Sequence, residues 1–381
     1  MINSPLNVVI VGPAHPYRGG IALGNERLAE EFINDGHQVK IHTFTVQYPS
    51  FLFPGKTQYS EAKAPKHLNI TRSINSINPF NWLIIGRKIK KEKPDIVIFR
   101  YWLPMLGPCF GTIARIIRRN KKSKIITILD NVIPHENRMG DKLFTRYFIK
   151  PIHAFISMSQ KVENDLANFD KKKPRTYSPH PLFDNFGQKF EKNHAKSVIN
   201  IDQSKNYILF FGLVRDYKGL DLLLEGFKLF DYKKFNVKLL IAGEYYSNEE
   251  KYINMMKDLE IIDDVISVNK FIKDDEVGYY FSASDIIAQP YKSATQSGVT
   301  QIAYHFESPL LVTNVGGLPE MVPDQKVGYV VEKNPAQIAA ALTDFFENNR
   351  SDYFKINIKS EKEKYTWDKM LQKIKEIYRE I

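Results

Sequence analysis

The chain is predicted to be an α/β protein built from two doubly wound domains in tandem. Three observations predict it. Short apolar runs alternate with helical patterns from one end to the other. Many of those runs are continuous, as in Ile125-Ile126-Thr127-Ile128-Leu129, which means burial on both faces of a parallel sheet. The chain also has 381 residues, 43 % of them hydrophobic and 25 % charged, enough for two packed cores.

The first set of strands is expected at 7–12, 38–43, 95–99, 124–129, 154–158 and 175–178. The second is expected at 206–212, 237–242, 264–268, 285–289, 310–313 and 328–331. Helical periodicity fills the intervals, for example at 21–35, 219–232, 248–259 and 335–348. Between the sets the chain is polar and turn-rich, from Lys171-Lys172-Lys173-Pro174 through Pro179-His180-Pro181 to about residue 205. The expected domains are therefore 1–180 and 181–365. A last helix follows over 366–381, with Met370, Leu371, Ile374, Ile377 and Tyr378 on one stripe. In such sheets ligands sit beyond the carboxyl ends of the strands, and two such domains make the cleft between them the natural site.

Cys109 is the only cysteine, so an intramolecular disulfide and a cysteine-based metal cage are both excluded. The chain runs directly into the apolar strand Val8-Val9-Ile10-Val11, and the expectation is no signal peptide and a cytoplasmic location. The longest apolar stretch, Tyr101 to Ile117, carries Pro104, Pro108 and Arg115. It is shorter than the roughly 20 residues of a spanning helix and is expected to be a partly buried helix with an irregular start.

Net charge is +11 and uneven. Residues 1–180 hold 28 Lys and Arg against 13 Asp and Glu, and residues 181–381 hold 26 against 30. A basic half suits an anionic lipid, a nucleic acid or an anionic substrate, or is a solvated soluble surface. Two clusters stand out. Arg87, Lys88, Lys90, Lys91 and Lys93 follow Phe80, Trp82, Leu83 and Ile84. Arg115, Arg118, Arg119, Lys121, Lys122 and Lys124 follow the 101–117 segment. Apolar anchors beside basic residues suit an anionic membrane surface; amphipathic helices, buried inside and basic outside, have the same pattern. No compact nucleic-acid-binding signature is present, so nucleic acid is not an expected partner.

Four loops carry candidate chemistry. Gly12-Pro13-Ala14-His15-Pro16-Tyr17-Arg18-Gly19-Gly20 joins the first strand to a helix, where Gly19 and Gly20 let backbone approach an anion or simply make a tight turn. Phe211-Gly212-Leu213-Val214-Arg215-Asp216-Tyr217-Lys218-Gly219 puts Arg215 and Lys218 where a helix begins, suited to phosphate oxygens or to a solvated turn. Gln289-Pro290-Tyr291-Lys292-Ser293-Ala294-Thr295-Gln296-Ser297-Gly298 offers small residues and backbone N–H groups, or an ordinary N-cap at Ser297. Thr313-Asn314-Val315-Gly316-Gly317-Leu318-Pro319-Glu320 ends a strand in a Gly-Gly turn and opens a helix.

The last two loops in that order, with Ile302-Ala303-Tyr304 and Ser308-Pro309-Leu310 between them, resemble the C-terminal half of family-4 (group 1) glycosyltransferases. Lys218-Gly219 and Ala242-Gly243-Glu244 match the same family. The resemblance spans nearly the whole chain and is strongest over 206–332. It implies a GT-B fold, with two Rossmann-like domains facing a cleft and a C-terminal helix crossing back to the first. It also implies a nucleoside-diphosphate-sugar donor on the C-terminal domain and a glycan or lipid-linked acceptor on the N-terminal one. The same likeness implies transfer with retention, in envelope polysaccharide or glycoconjugate synthesis, with peripheral contact to an anionic inner membrane face as an expected partner.

Carried over residue by residue, the likeness gives catalytic roles to Arg215, Lys218 and the sugar-facing His135. It gives donor contacts to Gly19, Gly20, Gly243, Thr295, Gln296, Ser297, Gly298 and Gln301. The family's Arg directly after the strand-ending glycine is here Leu213. Its glutamate pair falls at Ala294 and Ile302, leaving Gln296 and Gln301 to supply the hydrogen bonds without the charge. No Asp-x-Asp triplet occurs, so no metal is expected to be required, and no cofactor besides the co-substrate. A nucleotide-sugar epimerase on the same fold is the rival enzyme; a basic nucleic-acid module is the rival without catalysis.

Overall fold

The structure, a computed structural model, describes residues 4–48, 57–60, 63–133, 139–246 and 249–381. It divides into two compact units: Met1–Pro179 with Thr366–Ile381, and His180–Tyr365.

In unit 1 the strands are β1 (Asn7–Val11), β2 (Gln38–Val46), β3 (Ile70–Asn75), β4 (Ile96–Tyr101), β5 (Lys124–Leu129), β6 (Ala154–Ser157) and β7 (Arg175–Tyr177). They form one sheet in the order β3-β2-β1-β4-β5-β6-β7, every pairing parallel. The helices are α1 (Gly20–Asn34), α2 (Pro79–Glu92), α3 (Gly107–Arg118), α4 (Asp141–Ile149) and α5 (Gln160–Leu166), together with the C-terminal helix Trp367–Glu380.

Burial on both faces explains the continuous apolar strands. Val9, Val97, Phe99, Ile125 and Phe155 pack under Ile89, Phe110, Ile113, Phe148 and Val162 from α2 to α5. Their neighbours Val8, Ile10, Ile98, Ile126 and Ile156 face Leu28 and Phe32 of α1 and Trp367, Leu371 and Ile374 of the C-terminal helix. Each fully buried side chain of this size contributes about 1.5–3 kcal/mol relative to leaving it in water.

One expectation changes here, and another, the partly buried 101–117 helix with an irregular start, holds. Strand β3 was not anticipated, because Ile70-Thr71-Arg72-Ser73-Ile74-Asn75 is mostly polar. It is an edge strand, with only Ile74 deeply buried, and it pairs with β2 through register shifts near Phe44. The stretch 101–117 begins as the last residue of β4, turns at Pro104–Leu106 and continues as α3. Its apolar residues Leu106, Cys109, Phe110, Ile113 and Ile117 are core, not surface anchors. Burial pushes the Cys109 thiol far above its usual pKa, which keeps it unreactive.

Unit 2 repeats the plan with β8 (Asn206–Phe211), β9 (Val237–Ala242), β10 (Val265–Val268), β11 (Ile286–Gln289), β12 (Leu310–Thr313) and β13 (Gly328–Val331). Their order is β10-β9-β8-β11-β12-β13, again all parallel. The helices are α6 (Lys192–Val198), α7 (Leu220–Leu229), α8 (Glu249–Asp258), α9 (Val277–Ala283), α10 (Gly298–His305), α11 (Leu318–Met321), α12 (Pro335–Glu347) and α13 (Ser351–Glu361). The order reverses beside β8 as it does beside β1, which makes these two strand ends the topological switch points.

At the switch point of unit 1 lies a buried ion pair. Arg100 at the end of β4 donates from Nε and Nη2 to both carboxylate oxygens of Asp130, just past β5, at 2.6 and 2.8 Å. Both residues are buried, and Nη1 of Arg100 has no hydrogen-bond partner. Removing one member of such a pair strands the other charge in low dielectric. Asp130→Ala is therefore expected to cost about 3–5 kcal/mol in denaturant unfolding of the full chain. A cost below about 1 kcal/mol, the value of a solvent-exposed pair, would show that water reaches Arg100.

Candidate functional site

Unit 2 gathers four loops at the carboxyl ends of its strands, and they are laced together by backbone. Val214 N donates to Glu244 O at 2.8 Å and Tyr246 N to Val214 O at 3.1 Å, tying the loop after β8 to the loop after β9. Lys292 N donates to Tyr217 O at 2.7 Å, tying it also to the loop after β11. Gly317 N donates to Thr295 O at 3.1 Å, joining that loop to the one after β12.

The glycines permit this close approach. A Cβ on Gly219 would stand 1.9 Å from Pro290 O, and one on Gly316 1.7 Å from Ala294 O. Both residues also have positive φ, 69° and 56°, which side chains rarely adopt.

Within this scaffold Lys218 is buried, although it ends a short 3₁₀ turn in a surface loop. A Cβ on Gly212 would lie 3.0 Å from its ammonium, so Lys218 sits directly over the strand-ending glycine. Its Nζ is 5.6 Å from the centroid of the Tyr291 ring. Arg215 stacks its guanidinium 4.1 Å from the Tyr246 ring centroid, and its Nε is buried without a partner.

Neither Arg215 nor Lys218 forms an ion pair among the described residues. The one acid between them, Asp216, is turned to Lys251 Nζ at 3.0 Å and to Tyr252 OH at 3.1 Å. Burial, reinforced by the positive charge of Arg215, lowers the Lys218 pKa to about 8. A desolvated ammonium under the influence of a half-buried guanidinium, neither paired with a carboxylate among the described residues, forms a site for an anion.

The loop after β11 and the start of α10 supply neutral polar groups. Thr295 and Ser297 are buried. Ser297 stands at the N-cap position but does not cap, and its hydroxyl lies 3.3 Å from Tyr291 OH. The ordinary Ser cap is thus replaced by a side chain that leaves the first amides of α10 without a side-chain acceptor. Gly298 begins that helix against Phe183, whose Cε2 would be 2.7 Å from an added Cβ.

Gln296 Oε1 is buried and unpartnered. Gln301 is fully buried; its Nε2 reaches only Met321 Sδ, at 3.3 Å, and its Oε1 has no partner. Gln289, at the end of β11, accepts from Thr300 Oγ1 at 3.0 Å, while its Nε2 stays unpartnered. Buried amides left short of partners are rare in folded proteins, and three in one loop system mark a polar site.

The structure brings Arg215, Lys218, Thr295, Gln296, Ser297, Gly298 and Gln301 together as parts of these loops and the helix they enter. Gly243 belongs to the same edge. An added Cβ there would stand 2.2 Å from Gly212 O, so close packing of the loops after β8 and β9 already accounts for the glycine. Gly19 and Gly20 lie in unit 1, at the N-terminus of α1, where Gly19 has φ 109° and no side chain to cap the first turn. His135 lies outside the described residues.

Gln289 was read as the first residue of the third candidate loop but given no role of its own, and the Arg100–Asp130 pair escaped the sequence reading. For Gln289 a signal existed, an amide where a buried apolar strand ends; for the ion pair none did, because its members are thirty residues apart.

Residues 191–362 match the family described as glycosyl transferases group 1. Among proteins similar over the full length is an uncharacterized glycosyltransferase of Methanocaldococcus jannaschii, 24 % identical and covering 99 % of both chains. The capsular polysaccharide biosynthesis glycosyltransferase CapM of Staphylococcus aureus is 24 % identical over 68 % of this chain and 69 % of its own. The fold matches sucrose-phosphate synthase from Thermosynechococcus elongatus (TM-score 0.74, 14 % identity, 98 % of each chain). It also matches HepE from Anabaena, solved in complex with UDP and glucose (TM-score 0.74, 12 % identity, 99 % of this chain and 100 % of that one). Two Rossmann-like units in tandem give the chain the GT-B fold, and its second unit, with the loop system built on it, matches the group 1 glycosyltransferases.

Proposed function

We propose that the chain transfers a sugar from a nucleoside-diphosphate-sugar to a glycan or lipid-linked acceptor, with retention at the anomeric carbon, in envelope polysaccharide or glycoconjugate synthesis. The observation that carries this reading is the buried Lys218 beside the partly buried Arg215, neither in an ion pair among the described residues. A diphosphate leaving group supplies the missing charge. As the bond from the anomeric carbon to the diphosphate oxygen lengthens, negative charge gathers on that oxygen. Cations already in place stabilise it without reorganisation.

The amides at the start of α10, beside Ser297 and Gly298, add fixed dipoles of the same sign. Thr295, Gln296 and Gln301 then hold donor hydroxyls by hydrogen bonds, with no carboxylate among them, and the likeness to the family assigns donor contacts to Gly19 and Gly20 as well. The UDP-bound state of HepE and the part CapM takes in capsular polysaccharide biosynthesis support the reading of donor and pathway. A lipid-linked acceptor places the protein on the inner face of an anionic membrane. Among the described residues no helix is long and apolar enough to cross one.

Arg215→Ala and Lys218→Ala are each expected to lower turnover by about 10²–10³. Lys218→Met should do the same while raising the melting temperature, because it removes an unpaired buried charge. Near-normal turnover in these variants would refute the diphosphate assignment. Consumption of donor without any acceptor would point to an epimerase.

The pH dependence follows from Lys218. Its protonated form binds the diphosphate, and in the free protein that form is lost as pH rises through about 8. Donor affinity measured by calorimetry should therefore fall above pH 8, and the fall should vanish in Lys218→Met, whose affinity is low throughout.

Among the described residues no group of three or more His, Cys, Asp or Glu is placed to hold a metal ion. With the leaving-group charge assigned to Arg215 and Lys218, turnover should survive excess EDTA. Loss on chelation, restored by Mn²⁺ or Mg²⁺, would overturn that assignment.

A further inference from the structure

Helices α2, α3 and α4 lie side by side on one face of the unit 1 sheet, with α3 in the middle. Each leads into the next parallel strand, so all three run in the same direction, their first turns at the carboxyl edge of the sheet. Seven of the nine exposed large apolar side chains in the described part of unit 1 lie at 77–84 and 139–147. Phe80 and Ile84, one turn apart on α2, are 78 % and 60 % exposed, and Leu143 of α4 is 67 % exposed.

These side chains are displayed on ordered backbone. The side chain of Asn78 caps α2 by accepting from Phe80 N and Asn81 N, and Trp82 Nε1 donates to Asn75 O at 2.8 Å. The helix C-terminal halves are basic. Segments 77–93, 105–122 and 139–150 hold thirteen Lys and Arg against two acids, Glu92 and Asp141. Arg115, Arg118, Arg119 and Lys150 line a shallow depression where α3 and α4 end.

Basic last turns alone would only answer the helix dipoles. Two exposed apolar ridges, separated by one intervening helix and so about 16–20 Å apart, have no such explanation. We infer that this face of unit 1 is a docking surface for an anionic bilayer, with Phe80, Ile84 and Leu143 entering the interface and the Arg and Lys of the last turns meeting lipid phosphates. The charge imbalance selects the occupant: an anionic leaflet raises partitioning about fivefold per well-placed Lys or Arg, and each buried apolar side chain adds a further factor of ten or more. The apolar ends lie at the carboxyl edge of the sheet, the edge where this fold class binds its ligands. The inference rests on the reading of a lipid-linked acceptor and deepens it by naming the surface.

Flotation of the full chain with vesicles of phosphatidylcholine, with and without phosphatidylglycerol, tests it. The wild-type chain is expected to float with the anionic vesicles at low salt and to be released at high salt. Phe80→Ser/Ile84→Ser should weaken vesicle binding about tenfold or more. Arg87→Glu/Lys88→Glu/Lys91→Glu should abolish the preference for anionic over neutral vesicles. All these positions are exposed, so circular dichroism and melting should be unchanged.

Wild-type protein that stays unbound at every lipid composition, or variants that float like wild type, would overturn the inference. So would sedimentation showing a dimer that the Phe80/Ile84 variant dissociates, which would make the face an interface between copies. Thermal shift with nucleotide-sugars on the same samples separates the two readings. A retained shift with no flotation rejects the surface alone; flotation with no shift rejects the donor reading alone.

Discussion

Lys218 is an ammonium taken out of water beside a guanidinium, and among the described residues no carboxylate pairs with either one. Both desolvation and like-charge repulsion oppose that arrangement, and a free chain would relieve it by swinging the loop outward. The loop cannot swing, because Gly219 is pressed against Pro290 O and Lys292 N holds Tyr217 O. Those contacts in turn require the tight turns at Gly219 and Gly316, and the turns require the strand order that places β8 beside β9 and β11. The local strain is sustained by the α7–α12 layer and the apolar core beneath it, where Leu223, Leu224, Phe227, Ile338 and Leu342 are fully buried.

The two units handle buried positive charge in opposite ways. Arg100 in unit 1 occupies the equivalent switch point, yet it is neutralised by a two-pronged bond to Asp130. Its role is satisfied within the protein, apart from one nitrogen, and it needs no ligand to balance it. The cations of unit 2 have no such partner. The same strand topology thus yields one structural centre and one that is electrostatically incomplete, and incompleteness is the physical signature of a site awaiting an anion.

The parts of this protein that were legible in the sequence are those whose cause is local. Strand runs such as Val8–Val11 and Ile125–Leu129 are apolar because both faces are covered, so they stood out without any knowledge of the fold. The loops around Arg215–Lys218 and Thr295–Gly298 stood out because turn glycines and charges must sit where a strand ends. β3 escaped because an edge strand with one buried residue has no strong pattern. The apolar stretch 101–117 was legible as a partly buried helix, and of the two meanings left open for its apolar and basic residues the structure shows a core helix between α2 and α4. The missing charge on the glutamines was readable; their unpartnered atoms were not, since hydrogen-bond satisfaction depends on Thr300 and Met321 being brought alongside.

The uneven net charge also acquires a structural meaning. Long-range attraction by unit 1 alone would be screened within about 8–10 Å at physiological salt. A basic surface therefore matters where a partner comes into contact, and on α2 and α4 the contact surface contains exposed Phe80, Ile84 and Leu143 as well as Arg and Lys. A soluble polyanion would satisfy the charges and leave those apolar groups in water. An anionic interface satisfies both, because headgroups and acyl chains occur at adjacent depths. Unit 2, mildly acidic in total, concentrates its unpaired positive charge at the buried Lys218 and the adjacent, half-buried Arg215. Charge in unit 1 is spread over a face and charge in unit 2 is focused in one loop, and the difference in scale suits a surface partner for the first and a small anion for the second.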